Sequence, residues 1–179
     1  SEGLAIASLR LFEHGVLSQS GLDDPLRVDA ASLQALTPEI LAKEFPVSQS
    51  NQLLGLKDRA KLLNRLGDTL LKQKHIFEAE GTFRPGNLFD YLTRNQVTGV
   101  LEARDILVAV LQGMGEIWPD GSWIDNVAIG DAGYHEVVKR SDVTDGIVPF
   151  HKLSQWMSYS LIEPLQEAGF KVNNLDALT

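Results

Sequence analysis

The stretch Val148–Phe170 holds the residues best suited to chemistry. At helical spacing Lys152, Gln155, Trp156, Tyr159 and Glu163 recur at i, i+3, i+4, i+7 and i+11. One helix would thus align an ammonium, a carboxamide, two amphipathic rings and a carboxylate. Such a set can line a cavity for a small polar ligand, the rings stacking while the polar groups fix its orientation. A second stripe, Phe150, Leu153, Met157 and Leu161, is apolar and predicts the face that packs. The plainer alternative is a helix buried on two sides, with Lys152 and Glu163 reaching solvent at its ends. Pro164 cannot donate to the carbonyl of Ser160, which predicts a kink or an end to the regular helix near Glu163. Pro149 suits the first turn of that helix.

Two loops add further candidates. In Gly81–Asn87, Pro85 holds Arg84 extended and Asn87 stands where it could cap a short helix carrying Phe89, Asp90 and Tyr91. An arginine beside a helix N-terminus can hold an anion; equally, Arg84 can pair with Asp90 or another nearby acid. In Gly130–Glu136, Asp131 and His135 could form an acid/base pair, or join Asp125 and Glu136 in an oxygen-rich metal site, or belong to a plain polar loop. The spacing matches no strong metal motif, so no metal is expected.

These groups need helices to position them, and helical periodicity dominates the chain. Leu4, Ala5, Leu9, Phe12 and Val16 predict a helix over Glu2–Val16, with Gly15 as its stop. Asp29 could cap a short helix over Ala30–Ala35, and Thr37-Pro38-Glu39 has the order of an N-cap followed by proline, opening a helix to Glu44. Leu56 to Leu71 predicts the longest amphipathic helix, locally basic and ending near His75; Val97–Ile117 predicts a core helix stopped by Gly113 and Gly115. Trp118-Pro119-Asp120-Gly121 reads as a turn, and Trp123–Ile129 alternates like a strand or half of a hairpin, the one convincing β signal.

The chain has 179 residues, is 44% hydrophobic and contains no cysteine, so thiol chemistry is excluded and one core is expected. A net charge of −8 argues against a nucleic-acid polymer as partner, though a local pocket for one phosphate would not show in that sum. No apolar run is long enough to span a bilayer, so no membrane partner and a cytoplasmic location are expected. The fold class expected is mainly α: one helical domain over 1–179 with a small β-hairpin element. Ser1 in place of an initiator methionine, and leucines at the far end that want a partner, suggest a fragment of a longer chain.

Val148-Pro149-Phe150-His151-Lys152-Leu153-Ser154-Gln155-Trp156, continuing through Tyr159–Leu165, resembles a poorly characterised family associated with uracil catabolism. Arg84-Pro85-Gly86 with Phe89-Asp90, Ile117-Trp118-Pro119, Gly130-Asp131 with His135, and Leu175-Asp176-x-Leu178-Thr179 extend the resemblance over most of the chain. One departure is Gly133-Tyr134, where that family leads one to expect a Trp-Arg pair. Its Lys-x-x-Gln helix is in turn remotely similar to the queuosine-nucleotide N-glycosidase family, which implies a helical fold related to DNA glycosylases.

The resemblance implies an N-glycoside hydrolase-like step in pyrimidine breakdown, on a ribosylated urea-type or nucleotide-like small molecule and without a cofactor. Asp131 and Glu163 would be the catalytic acids. Arg84, Asp90, His135, His151, Lys152, Gln155, Trp156 and Tyr159 would contact substrate. In those hydrolases an essential acid follows the Leu-Thr segment, so this fragment alone is expected to turn over poorly. The other reading is a non-catalytic component that serves a neighbouring phosphoribosyltransferase or ring-opening enzyme of the pathway.

Overall fold

The computed structural model describes residues 2–119 and 121–178. Asp120 of the expected turn, Ser1, and Thr179 of the terminal motif lie outside the described residues. The chain divides into two compact units, 1–86 and 87–179. Eight α-helices among the described residues make it mainly helical. None is long and apolar enough to cross a membrane.

In the first unit, local signals set the helix ends. α1 (Glu2–Glu13) is followed by Gly15 at φ +66°, where a Cβ would fall 2.4 Å from the carbonyl oxygen of Gly21. Only glycine fits this stop. α2 (Ala30–Gln34) precedes α3 (Pro38–Glu44), whose first turn is capped as the Thr-Pro order predicts: Ile40 N–H donates to Thr37 Oγ1 at 3.3 Å. α4 (Leu56–Lys72) stops short of His75, and α5 (Lys74–Phe77) restarts after Gln73. A hairpin of β1 (Glu78–Ala79) and β2 (Thr82–Phe83) turns at Glu80 and Gly81, both at positive φ.

α2 lies against α4 with little room between backbones. A Cβ on Gly67 would stand 2.7 Å from the Ala30 carbonyl oxygen. One turn away, Asn64 Nδ2 donates to the carbonyls of Leu33 (2.8 Å), Gln34 (3.1 Å) and Leu36 (2.9 Å), satisfying acceptors that the end of α2 leaves open. Asp29 occupies the N-cap position of α2 but does not use its carboxylate there. It is 2% exposed and accepts from Arg27 Nε (2.9 Å), Arg27 Nη2 (2.6 Å) and the Gln19 N–H (2.9 Å). Burial pushes the Asp29 carboxyl up, but the Arg27 hydrogen bonds, the Gln19 N–H and the charges of Arg27 and Arg84 outweigh it, leaving the pKa below its ordinary value.

In the second unit, a 3₁₀ turn through Asn87 leads into α6 (Leu88–Thr93), with no side-chain cap from Asn87. The helix expected over Val97–Ile117 is shorter. Val100–Glu102 forms β3, α7 spans Ala103–Met114, and a 3₁₀ turn covers Gly115–Ile117. β3 pairs in parallel with β8 (Lys171–Asn173), Leu101 opposite Val172, a partner far along the chain that helical periodicity cannot reveal. The Trp118 turn closes through a 3.3 Å bond from Gly121 N–H to the Trp118 carbonyl. The stretch expected to be one strand or half of a hairpin holds both strands of one: β4 (Trp123–Ile124) pairs with β5 (Val127–Ala128), with Asp125 and Asn126 both at positive φ as a two-residue turn requires. β6 (Gly133–Tyr134) pairs with β7 (Ile147–Val148), so the second unit holds three small β pairs where one was expected.

α8 (Lys152–Glu167) therefore starts four residues after Val148, with Pro149 outside it. Pro164 neither ends it nor divides it, because a proline near the last turn removes one hydrogen bond and the helix closes without it. Leu101, Ala103 and Ile106 meet Ile162, Leu165, Val172 and Leu178 in a buried cluster.

Two stability outcomes follow. Gly67→Ala should cost about 1–3 kcal/mol in urea unfolding, because its methyl must displace the Ala30 backbone. Asp29 contributes stability that is complete above its unfolded-state pKa and is lost as pH falls through the lower folded value. Asp29→Asn should flatten the acid limb of stability against pH below about pH 4; an unchanged limb would remove Asp29 from that role.

Candidate functional site

Asp131 fixes the start of α8. The Leu153 N–H (2.7 Å) and Ser154 N–H (3.4 Å) donate to its Oδ2, and the Ser154 hydroxyl donates to its Oδ1. A carboxylate thus caps the helix from a distant loop, meeting first-turn N–H groups and the positive end of the helix dipole. His151 precedes the helix in the left-handed conformation, φ +46°, and its own N–H donates to the Asp131 carbonyl at 2.9 Å. Its ring Nδ1 lies 3.7 Å from Asp131 Oδ1, buried and without a hydrogen-bond partner. Gly130, at φ +73°, brings the loop past Leu111, where a Cβ would stand 2.9 Å from Leu111 Cδ2.

The imidazole beside Asp131 is that of His151. His135 is exposed; its Nδ1 accepts from Val137 N–H at 3.2 Å. Among the described residues no group of acids and histidines has the arrangement of a metal site.

The buried face of α8 begins at the capped residue Ser154. Ser154, Ser158, Ile162 and Leu165 face inward, with Ser158 Oγ donating to the Ser154 carbonyl at 2.8 Å. The stripe expected to pack, Phe150, Leu153, Met157 and Leu161, is not the buried one. Phe150 is 64% and Leu153 45% exposed, and Met157 and Leu161 are half-buried. Ser154 and Ser158 belong to neither stripe that the apolar and polar spacing picks out. Their four-residue spacing ahead of Ile162 was the available signal, since small residues let a helix approach its neighbour closely.

With that rotation, Lys152, Trp156, Tyr159 and Glu163 form one open stripe, and Gln155 is half-buried at its edge. Trp156 is 66% and Tyr159 40% exposed, so the face is open in this chain and not an enclosed cavity. The Tyr159 hydroxyl reaches the Leu175 carbonyl at 3.5 Å. Lys152 and Glu163 stand about 16 Å apart along the axis, by helical rise. Asp131, at Ser154, is likewise about 13 Å along the helix from Glu163, beyond the roughly 5–9.5 Å that separates paired glycosidase carboxyls. The two acids do not converge.

Asp90 is exposed in the first turn of α6. Arg84 belongs to the first unit. Its N–H donates to the Phe77 carbonyl at 3.2 Å, its charge reaches Asp29, and its Nε is buried without a hydrogen-bond partner.

Asp131→Ala should destabilise the chain by about 1–2 kcal/mol, as loss of a helix cap does. Ser154→Ala should cost less, about 0.5–1.5 kcal/mol. Thermal unfolding of the two variants measures both, and an unaltered Asp131→Ala midpoint would refute the capping role.

No solved structure matches the chain. Uracil catabolism protein 4 of Lachancea kluyveri is 40% identical over 190 residues, covering 100% of this chain and 43% of that protein. Protein urg3 of Schizosaccharomyces pombe is 38% identical over 170 residues, covering 93% of this chain and 38% of that protein. The chain thus spans less than half the length of these relatives. Residues 1–179 match throughout the family described as protein of unknown function (DUF1688), and the chain belongs to that family.

Proposed function

We propose that this chain is part of a protein of uracil breakdown, and that the open stripe of α8 is where a ribosylated urea-type or nucleotide-like intermediate binds. The observation that carries the pathway is the 40% identity to uracil catabolism protein 4 across the whole of this chain. The stripe supports the ligand class. Trp156 and Tyr159 offer rings for stacking, Lys152 a cation for phosphate or sugar oxygens, and Gln155 an amide for a ureido or pyrimidine edge. The finer proposal, with a fold related to DNA glycosylases, is hydrolysis of an N-glycosidic bond. The C1′–N bond breaks, the oxygen of water joins C1′, and a proton goes to the departing nitrogen. A carboxylate must face the positive charge that develops on the sugar. Asp131 or Glu163 could fill that place, but not both at one bond. Asp90, His135 and His151 are further contacts in this reading.

A second reading is a binding component with no chemistry of its own. The observation favouring it is that Asp131 already serves the helix start while Glu163 stands alone at the other end of the stripe.

The deciding experiment uses the longer family protein and its variants in cells given uracil as nitrogen source, alongside purified protein and ribosylurea. Trp156→Ala and Lys152→Ala should each reduce ribose release at least about tenfold, with Gln166→Ala on the same helix as a control near wild type. Growth without any ribose release by the purified protein would reject the hydrolase and favour the binding role. Normal growth of both stripe variants would reject the site itself.

A further inference from the structure

Inside the first unit, α1, α3 and α4 leave a hollow of about 340 Å³. Its walls are apolar: Leu11, Phe12, Leu41, Phe45, Leu62 and Leu63. Leu11 and Leu41 are buried, whereas Phe12, Phe45, Leu62 and Leu63 remain half-buried against the empty space. The hollow is a cleft partly open to solvent, and its volume lies in the range of small-ligand sites.

The polar groups at the hollow are few and of one sign. Ser8 and Arg59 are the two polar residues on its wall. The Ser8 hydroxyl is engaged with the Leu4 carbonyl at 2.8 Å. Arg59 Nε donates to the Leu54 carbonyl at 3.2 Å, which holds the guanidinium over the Leu53–Leu54 turn and leaves its terminal nitrogens without a bond among the described residues. The adjoining groove shares Phe45 and Leu53 with the hollow and adds Arg10 and Glu44. Glu44, which His14 Nδ1 meets at 2.7 Å, keeps a carboxylate in that groove, so the cationic group available to the hollow is Arg59. An apolar cleft with terminal guanidinium nitrogens unengaged among the described residues at its rim is complementary to an amphiphile with an anionic head.

We propose that this hollow binds a medium-chain carboxylate, its hydrocarbon tail among Leu11, Phe12, Leu41 and Leu63 and its carboxylate on the terminal nitrogens of Arg59. This site is separate from the stripe on α8 and rests on different residues. A terminal guanidinium presents two parallel donors that match a carboxylate, and each methylene placed inside removes apolar surface from water.

Titration of the 179-residue chain with decanoate, followed by calorimetry and by the methyl resonances of the first unit, tests it. Saturable one-site binding is expected, with hexanoate weaker by about tenfold or more because fewer methylenes are buried. Arg59→Gln, at an exposed residue, should weaken decanoate by about tenfold, and Leu63→Trp should abolish binding by filling the space. If Leu63→Trp does not fold, Arg59→Gln alone decides. Absence of saturation, or equal binding of decyltrimethylammonium, would overturn the proposal. So would decanoate binding by this chain that vanishes in the longer relative, which would assign the hollow to polypeptide of that protein.

Discussion

The contact between Asp131 and the first turn of α8 governs most of the second unit. A helix that begins without a capping side chain leaves N–H donors open, and His151, in the left-handed conformation, supplies none. Asp131 meets them from a loop more than twenty residues upstream. It also takes the hydroxyl of Ser154, which lies on the buried face of the helix. Ile162 and Leu165 then reach the cluster formed by Leu101, Ala103 and Ile106, and the Lys152–Glu163 stripe is left outward. The cap and the apolar cluster thus agree on which face of α8 is buried.

The first unit solves a similar problem with different groups. Short helices leave a large share of their backbone groups unpaired, and side chains from elsewhere must meet them. Asn64 does so for the end of α2, and the absence of a side chain at Gly67 lets α4 come close enough for that. Asp29 is nearly inaccessible, yet Arg27 and the Gln19 N–H satisfy it, which makes its burial tolerable. Around α1, packing is less complete, and large apolar side chains border open space.

For function, the separation of the two acids matters more than the identity of either. A reaction at one bond needs its groups within a few ångströms, while a long ligand can be held by groups spread along a helix. The aromatic rings of the α8 stripe are exposed to a degree uncommon for tryptophan, and its charges sit at opposite ends.

Local chemistry made several features legible in the sequence. The Thr37-Pro38 helix start, the Gly15 stop, the Trp118 turn and the β character of Trp123–Ile129 depend on residues adjacent in the chain, so residue type alone announces them. The mainly helical class followed from apolar spacing in the same way. The chemical groups on α8 were readable as well, because helical spacing fixes which residues share a face. Which face would be buried was not readable. Periodicity gave two stripes, whereas the buried face carries Ser154 and Ser158 with Ile162 and Leu165, held by contacts to Asp131 and to the Leu101–Ile106 cluster, both outside the helix. The pairing of β3 with β8 and of Asp131 with His151 likewise joins residues distant in sequence, and such contacts leave no periodic trace. The sequence by itself therefore determined the helices, the turns and the set of groups on each face; only the tertiary structure decided which faces meet, because that depends on hydrogen bonds and close approaches between segments that no local pattern encodes.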